Sequence, residues 1–254
     1  RILVYGRNKK GKSRLGISAG IEETLVIDPE KGTDTMKKLN PYVWPIEKWA
    51  DMQEVYGALR TGKLSPNFFQ QGESSTPFTW VSVDGLTRIN NMALRYVMKR
   101  QEERDLDRQP GFVQQRDYGK SGELMKQMLA NFHGLKMNIY FSAQEKMKAN
   151  KAFTEEGEGD DEEEVPEYLM VPELPDGVKS AVNAIVEVIG RLYTTTVIPT
   201  KGRNAGKEIT QRRLFIGIHD RYDTGFRSDF DLPNMIKNPT LPKLVAAMLR
   251  GGES

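Results

Sequence analysis

The sequence predicts an α/β protein: a mostly parallel sheet flanked by helices, extended near the C-terminus by an antiparallel hairpin. Three observations predict it. Short apolar runs recur at 1–5 (RILVY), 24–28 (TLVID), 78–84 (FTWVSVD) and 137–143 (MNIYFSA), each the length of a strand buried on both faces. Patterns of helical period lie between them, at about 12–20, 47–60, 88–107 and 119–133, and strands that alternate with helices pair in parallel through crossovers. Two later strand-like runs, 190–198 (GRLYTTTVI) and 209–218 (ITQRRLFIGI), are separated by a turn rich in Gly, Lys and Asn, which reads as a hairpin.

The remaining segments follow from composition. Residues 145–176 interrupt the rhythm with lysines, an acidic run and a Pro-spaced stretch (VPEYLMVPELPDG), and read as a mobile loop. Residues 178–189 suit an apolar-rich helix. The expected division is a core over 1–220 and a tail over 221–254 that ends in a short helix at 241–250. No internal repeat is visible.

Composition narrows the chemistry. The chain has 254 residues, 38% hydrophobic and 28% charged, enough for a substantial core under a charged surface. Without cysteine it can hold no disulfide, thiolate metal site or cysteine nucleophile. Its 2 histidines, His133 and His219, are too scattered for a metal cluster and read as structural. No apolar run approaches the roughly 18 residues of a membrane span. No signal peptide opens the chain, and Arg1 already stands inside an apolar run, so the native start is expected upstream. The net charge of +2 hides an asymmetry: residues 155–164 (EEGEGDDEEE) hold eight acids and no base, and the rest of the chain is basic enough to attract a polyanion.

In a parallel sheet chemistry gathers at the C-terminal strand ends, and the first such end carries the sharpest motif. Residues 6–13, GRNKKGKS, fit G-x-x-x-x-G-K-[ST], the phosphate-binding loop. Gly6 and Gly11 permit the backbone to converge its N–H groups on a phosphate at a helix start. Lys12 would reach the β- and γ-phosphates, and the Ser13 hydroxyl would ligate Mg²⁺. The loop interior, Arg7, Asn8, Lys9 and Lys10, and the following Arg14 complete the candidate nucleotide contacts; Lys9 and Lys10 either strengthen phosphate binding or point into solvent. Asp84, at the tip of a buried strand, would hold the Mg²⁺ water shell, with capping of the next helix as the competing role. Asp28 and Glu30 follow the second strand: Glu30 is either a general base for an attacking water or part of a polar turn stiffened by Pro29. Gln144, after the fourth strand, is either a γ-phosphate sensor or a solvated strand end. Trp44, Trp49, Trp80, Phe68 and Phe69 read as core or interface. No N-K-x-D string follows the core strands, which favours ATP over GTP.

The order of these parts resembles the RecA-like P-loop ATPase core. It is most similar to small phage-encoded members that act as single-strand annealing proteins or recombinases, over roughly 1–220. RILVYGRNKKGKS resembles their first strand and phosphate loop, TLVIDPEKGTD the segment whose glutamate is the catalytic base, FTWVSVDG the Mg²⁺-associated strand, and NIYFSAQEKMK the strand whose glutamine couples nucleotide state to a DNA-binding loop. The resemblance thus implies ATP and Mg²⁺ as cofactors, with Glu30 as base, Asp84 at the metal and Gln144 as coupler. It implies hydrolysis at subunit interfaces of a filament or ring, completed by a neighbour's cation. Arg221 is the first candidate by position and Arg227 the second, with Lys201, Arg203 and Lys207 of the hairpin turn beside them. Candidate DNA contacts are Arg108, Arg116, Lys120, Lys146, Lys148 and Lys151. The acidic run departs from the pattern, since DNA phosphates would repel it; it either mimics DNA, docks a basic partner or solubilises an insert. The expected function is an ATP-dependent single-stranded-DNA-binding recombinase or annealing protein of the bacterial host's cytoplasm, working with a single-strand-binding or other replication protein and no membrane. The alternative is a helicase-loader or remodelling-type ATPase acting through a protein partner.

Overall fold

The computed structural model describes residues 1–70, 72–149 and 168–250. A nine-stranded sheet runs in the order β11-β9-β8-β1-β5-β4-β2-β3, with β10 paired to β8 off this path. Its parallel part comprises β1 (Ile2–Tyr5), β2 (Thr24–Asp28), β3 (Tyr42–Pro45), β4 (Trp80–Asp84), β5 (Asn138–Ala143) and β8 (Val188–Val197). β9 (Ile209–Phe215) returns antiparallel along β8, followed by the short β10 (Gly225–Phe226) and β11 (Met235–Lys237). This is the mostly parallel, helix-flanked sheet expected, with its antiparallel extension.

Both faces of the sheet are covered, so the central strands are apolar throughout rather than alternating. Leu3 and Tyr5 of β1 pack with Ile27, Val83 and Phe141 beneath α2 (Trp49–Arg60), α3 (Leu86–Glu102), α4 (Gln115–His133) and α5 (Asp176–Ile185). Ile2 and Val4 face the other way, against Leu15 of α1 (Lys12–Gly16) and Leu241 and Leu244 of α6 (Leu241–Arg250). The parallel order places β5 between the phosphate-loop strand β1 and the acid-tipped strand β4.

One strand escaped the sequence reading, and two expectations are corrected. Tyr42–Pro45, which Pro41 and Pro45 disguise in the sequence, is an edge strand, where a missing N–H is tolerated. The helix expected over 12–20 stops at Gly16, and Gly20 carries φ 142. The stretch 145–176 is not one loop: β6 (Glu145–Ala149) and β7 (Tyr168–Pro172) form an antiparallel ribbon from Glu145↔Pro172 to Ala149↔Tyr168, and α5 already begins at Asp176. The acidic run 155–164 and Lys151 lie outside the described residues. No helix among those described is long and apolar enough to cross a membrane.

The connection from α3 to α4 is held by a buried ion pair. Arg108 and Asp117 have no side-chain exposure and are joined through both terminal guanidinium nitrogens, and Arg108 also donates to the Phe112 carbonyl at 2.9 Å. The Arg108 bond holds the Asp117 carboxyl below its ordinary range. Removing one partner strands a buried charge. Asp117→Ala is therefore expected to lower Tm by roughly 10 °C, measured by calorimetry. Because the Asp117 pKa is depressed on folding, its contribution is present above the unfolded carboxylate value and is lost as pH falls through the folded one.

Candidate nucleotide site

β1 delivers Gly6 into a tight passage: a side-chain carbon there would stand 2.3 Å from the Leu192 carbonyl oxygen of β8, so only glycine passes. The loop then turns through left-handed conformations at Lys9 (φ 63) and Gly11 (φ 96) and enters α1. Lys12 Nζ donates to the carbonyls of Gly6 at 2.7 Å and Arg7 at 3.0 Å, across the loop mouth. From beneath, the Tyr140 hydroxyl of β5 donates to the Lys12 carbonyl at 2.9 Å. Lys10 donates to the Thr194 hydroxyl at 2.9 Å and so ties the loop to β8, a role the sequence did not suggest. Asn8, Lys9 and Arg14 are exposed.

Beside the loop stands Asp84, 6% exposed at the tip of β4. It accepts from Ser142 at 2.7 Å, and the Ser13 hydroxyl stands close enough to favour its charged form. Burial raises its pKa; the Ser13 and Ser142 bonds and the Lys12 charge oppose that rise. The capping role does not apply, because α3 starts from Gly85 (φ 127) with no side-chain cap. A hydroxyl and a carboxylate in contact suit Mg²⁺, which takes one or two protein oxygens beside phosphate oxygens and water.

Asp28 and Glu30 divide their work. Asp28 is 2% exposed and accepts from the N–H groups of Glu30 (3.0 Å), Gly32 (3.1 Å) and Thr33 (3.0 Å) and from the Thr33 hydroxyl (2.5 Å). It fixes the turn that presents Glu30. The Glu30 carboxylate then meets Gln144 Nε2 at 3.4 Å, from a strand end 114 residues away. Desolvation raises the Glu30 pKa, and the Gln144 bond and the Lys12 charge pull it back. Lys12 is in turn lowered by burial, against the attraction of Asp84, Glu30 and Glu145. The expected phosphate, metal, base and coupling residues thus stand in mutual electrostatic contact.

Sequence reading missed what surrounds Gln144. Its N–H donates to the Thr87 hydroxyl at 3.1 Å, that hydroxyl donates to the Glu173 carbonyl at 3.1 Å, and the Glu173 N–H returns to the Gln144 carbonyl at 2.8 Å. The closed circuit ties β5, α3 and the exit of the β6–β7 ribbon together. Next in the chain, Glu145 has a side chain 5% exposed and is gripped by Arg191 of β8 at 2.9 Å and by Arg7 of the phosphate loop at 3.1 Å. The Arg191 guanidinium also lies 4.4 Å from the Tyr222 ring centre. A polar Gln-Glu pair after a buried strand, with an arginine inside the phosphate loop, was the available signal.

A cavity of about 460 Å³ adjoins the loop and α1. Arg14, Ser18, Leu192, Arg212, Pro239 and Thr240 line it, a mixture of apolar walls and polar points that fits a base and ribose.

The remaining candidates separate by what they touch. Arg221 is exposed and its side chain has no partner among the described residues, while its carbonyl accepts from Met170 of the ribbon at 2.8 Å. Arg227 donates to the Asn183 and Ala184 carbonyls at the end of α5 and is held there. Lys201, Arg203 and Lys207 are exposed in the β8–β9 turn. Arg108 is withdrawn as a DNA contact, since its guanidinium is buried against Asp117. Lys148 is paired with Asp176 at 2.8 Å, and Lys146 donates to the Leu174 carbonyl at 3.3 Å, so both lysines fasten the ribbon to the α5 start. Arg116 and Lys120 lie away from the ribbon's own contacts, on α4 facing α3: Arg116 pairs with Asp105 at 3.3 Å and Lys120 donates to Gln101 at 2.9 Å.

A family model described as an AAA domain (AAA_24) matches residues 1–228. No curated protein matches the chain. Among solved structures, the chain is similar to a KaiC-like protein from the hyperthermophilic archaeon Pyrococcus horikoshii, at 9% identity and a TM-score of 0.43 over 94% of this chain and 88% of that one. It is also similar to the flagellar accessory protein FlaH from Methanocaldococcus jannaschii, at 12% identity and a TM-score of 0.37 over 93% of this chain and 83% of that one.

Proposed function

The chain belongs to the AAA domain family, and on that premise we propose that it binds ATP with Mg²⁺ and hydrolyses it. One observation supports this above all: Lys12, Ser13 and Asp84 share an edge of the sheet with Glu30, whose carboxylate is hydrogen-bonded to Gln144. Lys12 neutralises the β- and γ-phosphates. Ser13 and Asp84 hold Mg²⁺, which when bound draws charge from the phosphate oxygens. Water attacks the γ-phosphorus, its proton passes to the Glu30 carboxylate, and ADP leaves. Asp28 positions Glu30, and the cavity beside α1 takes the base and ribose.

The raised Glu30 pKa sets a sign. Only ionised Glu30 accepts a proton, so kcat/KM, which reports the free enzyme, falls as pH drops through that raised value. The acid limb of the kcat/KM–pH profile is expected above the ordinary glutamate range of about 4.3, measured by ATPase assay in buffers from acidic to neutral. A limb at the ordinary value contradicts the assignment.

We extend the reading to an oligomeric, single-stranded-DNA-binding ATPase of phage recombination or annealing type. Its support is the basic charge of the chain outside the acidic run and the ribbon that begins immediately after Gln144. Lys146 and Lys148 would serve as contacts by exchanging Leu174 and Asp176 for phosphates. Arg221, or the Lys201–Lys207 turn, would supply the neighbour's cation. Single-turnover hydrolysis with and without oligo(dT) tests this: stimulation that weakens steeply with salt supports it, and stimulation only by a protein partner favours a loader or remodelling ATPase instead.

A further inference from the structure

Helices α3 and α4 flank an open groove of about 540 Å³ that the nucleotide site does not use. Its floor is apolar, from Val97, Leu124 and the ring of Tyr96. Its rim carries Arg100, Arg104, Arg116 and Lys120. Arg104 has no side-chain hydrogen bond or ion pair among the described residues. Glu123, the acid at this rim, is paired with Lys126 at 2.7 Å. Beside the groove, large apolar side chains stand in solvent on the α3–α4 connection and the start of α4: Leu106 is 94% exposed, Phe112 58% and Tyr118 57%. The buried Arg108–Asp117 pair holds that connection in shape, so its surface is preorganised for a partner.

We propose that this groove binds an acidic peptide bearing a large apolar side chain. The side chain fills the floor between Val97 and Leu124, and flanking carboxylates pair with the cationic rim. Charge complementarity selects an anion, and the aliphatic floor selects against a nucleic acid strand. Within the groove lining the aromatic ring is that of Tyr96; Arg100 donates to its hydroxyl at 3.0 Å and sets its guanidinium carbon 5.6 Å from the ring centre, so it competes with any base for that ring, while the exposed Phe112 and Tyr118 stand outside the lining. Rim charges here are solvent-exposed, so they contribute selectivity and association rate more than affinity, while the buried apolar side chain carries the binding energy.

The test is fluorescence anisotropy with the full chain and a labelled peptide Asp-Glu-Asp-Glu-Phe-Leu. One control replaces its acids with Asn and Gln, another replaces Phe-Leu with Gly-Gly, and labelled oligo(dT) is run beside them. The full peptide is expected to bind, and each control peptide to bind about tenfold more weakly. Arg104→Glu combined with Arg116→Glu is expected to weaken the full peptide about tenfold, and Lys120→Glu alone to weaken it in the same direction. The proposal is overturned if both control peptides bind as well as the full one, or if the charge reversals leave its affinity unchanged. It is also overturned if those reversals weaken oligo(dT) and spare the peptide, which would make the groove a nucleic-acid surface. None of these outcomes depends on ATP binding, so the groove and the nucleotide site fail or stand separately.

Discussion

Glu30→Gln is expected to slow ATP hydrolysis by about 10²–10⁴-fold while leaving ATP binding in place. The amide keeps the shape of the side chain and its contact with Gln144, and loses only the lone-pair basicity that accepts the water proton. Removing one negative charge near Lys12 and Asp84 also lightens repulsion of the γ-phosphate, so affinity holds or rises. Single-turnover hydrolysis together with calorimetric binding reads both quantities. A variant that hydrolyses at the wild-type rate contradicts the assignment. Glu145 is the other glutamate whose charge reaches Lys12, but its oxygens are occupied by Arg7 and Arg191, which makes it a poor proton acceptor.

Asp28→Ala is expected to lower kcat by about 10²-fold, the effect of misplacing a reacting group by an ångström, with little change in KM for ATP. Asp28 accepts four hydrogen bonds from Glu30, Gly32 and Thr33, so both of its oxygens are spent on the turn. Its loss unpairs those donors, at an expected cost of about 3 kcal/mol in stability by urea titration. Asp28→Asn, which keeps one acceptor oxygen, should fall between wild type and Asp28→Ala on both measures. The split is diagnostic: a purely structural aspartate would change the Asp28→Ala urea midpoint and leave kcat per folded molecule unaltered.

What the sequence revealed and what it hid follow the same physics. The central strands were legible because burial on both faces makes them continuous apolar runs, and the phosphate loop was legible because its chemistry is local to eight consecutive residues. The partnership of Glu30 with Gln144 spans 114 residues and exists only once β2 and β5 lie in one sheet. Strand β6 escaped because EKMKA is polar, and its register with β7 is set across an intervening acidic stretch rather than by a short turn. Arg108 stood among the candidate DNA contacts because nothing in its charged stretch of chain marks it for burial, yet the fold turns it inward onto Asp117. Asp117 also accepts from the Gln114 N–H at 2.8 Å at the start of α4, and an acid at that helix position was the sequence signal of an anchored connection. The wiring of Glu145 to Arg7 and Arg191 left only a faint trace, a polar Gln-Glu pair after a buried strand and an arginine inside the phosphate loop, since ion pairs between distant segments follow no fixed spacing.

Isothermal titration of the chain with ATP in the presence of Mg²⁺, alongside Lys12→Ala, tests the central claim most directly. The wild-type chain is expected to take up ATP, and Lys12→Ala, which removes the cation poised between the Gly6 and Arg7 carbonyls, to lose most of that uptake. Absence of uptake by the wild type, or equal uptake by the variant, contradicts a triphosphate held at this loop.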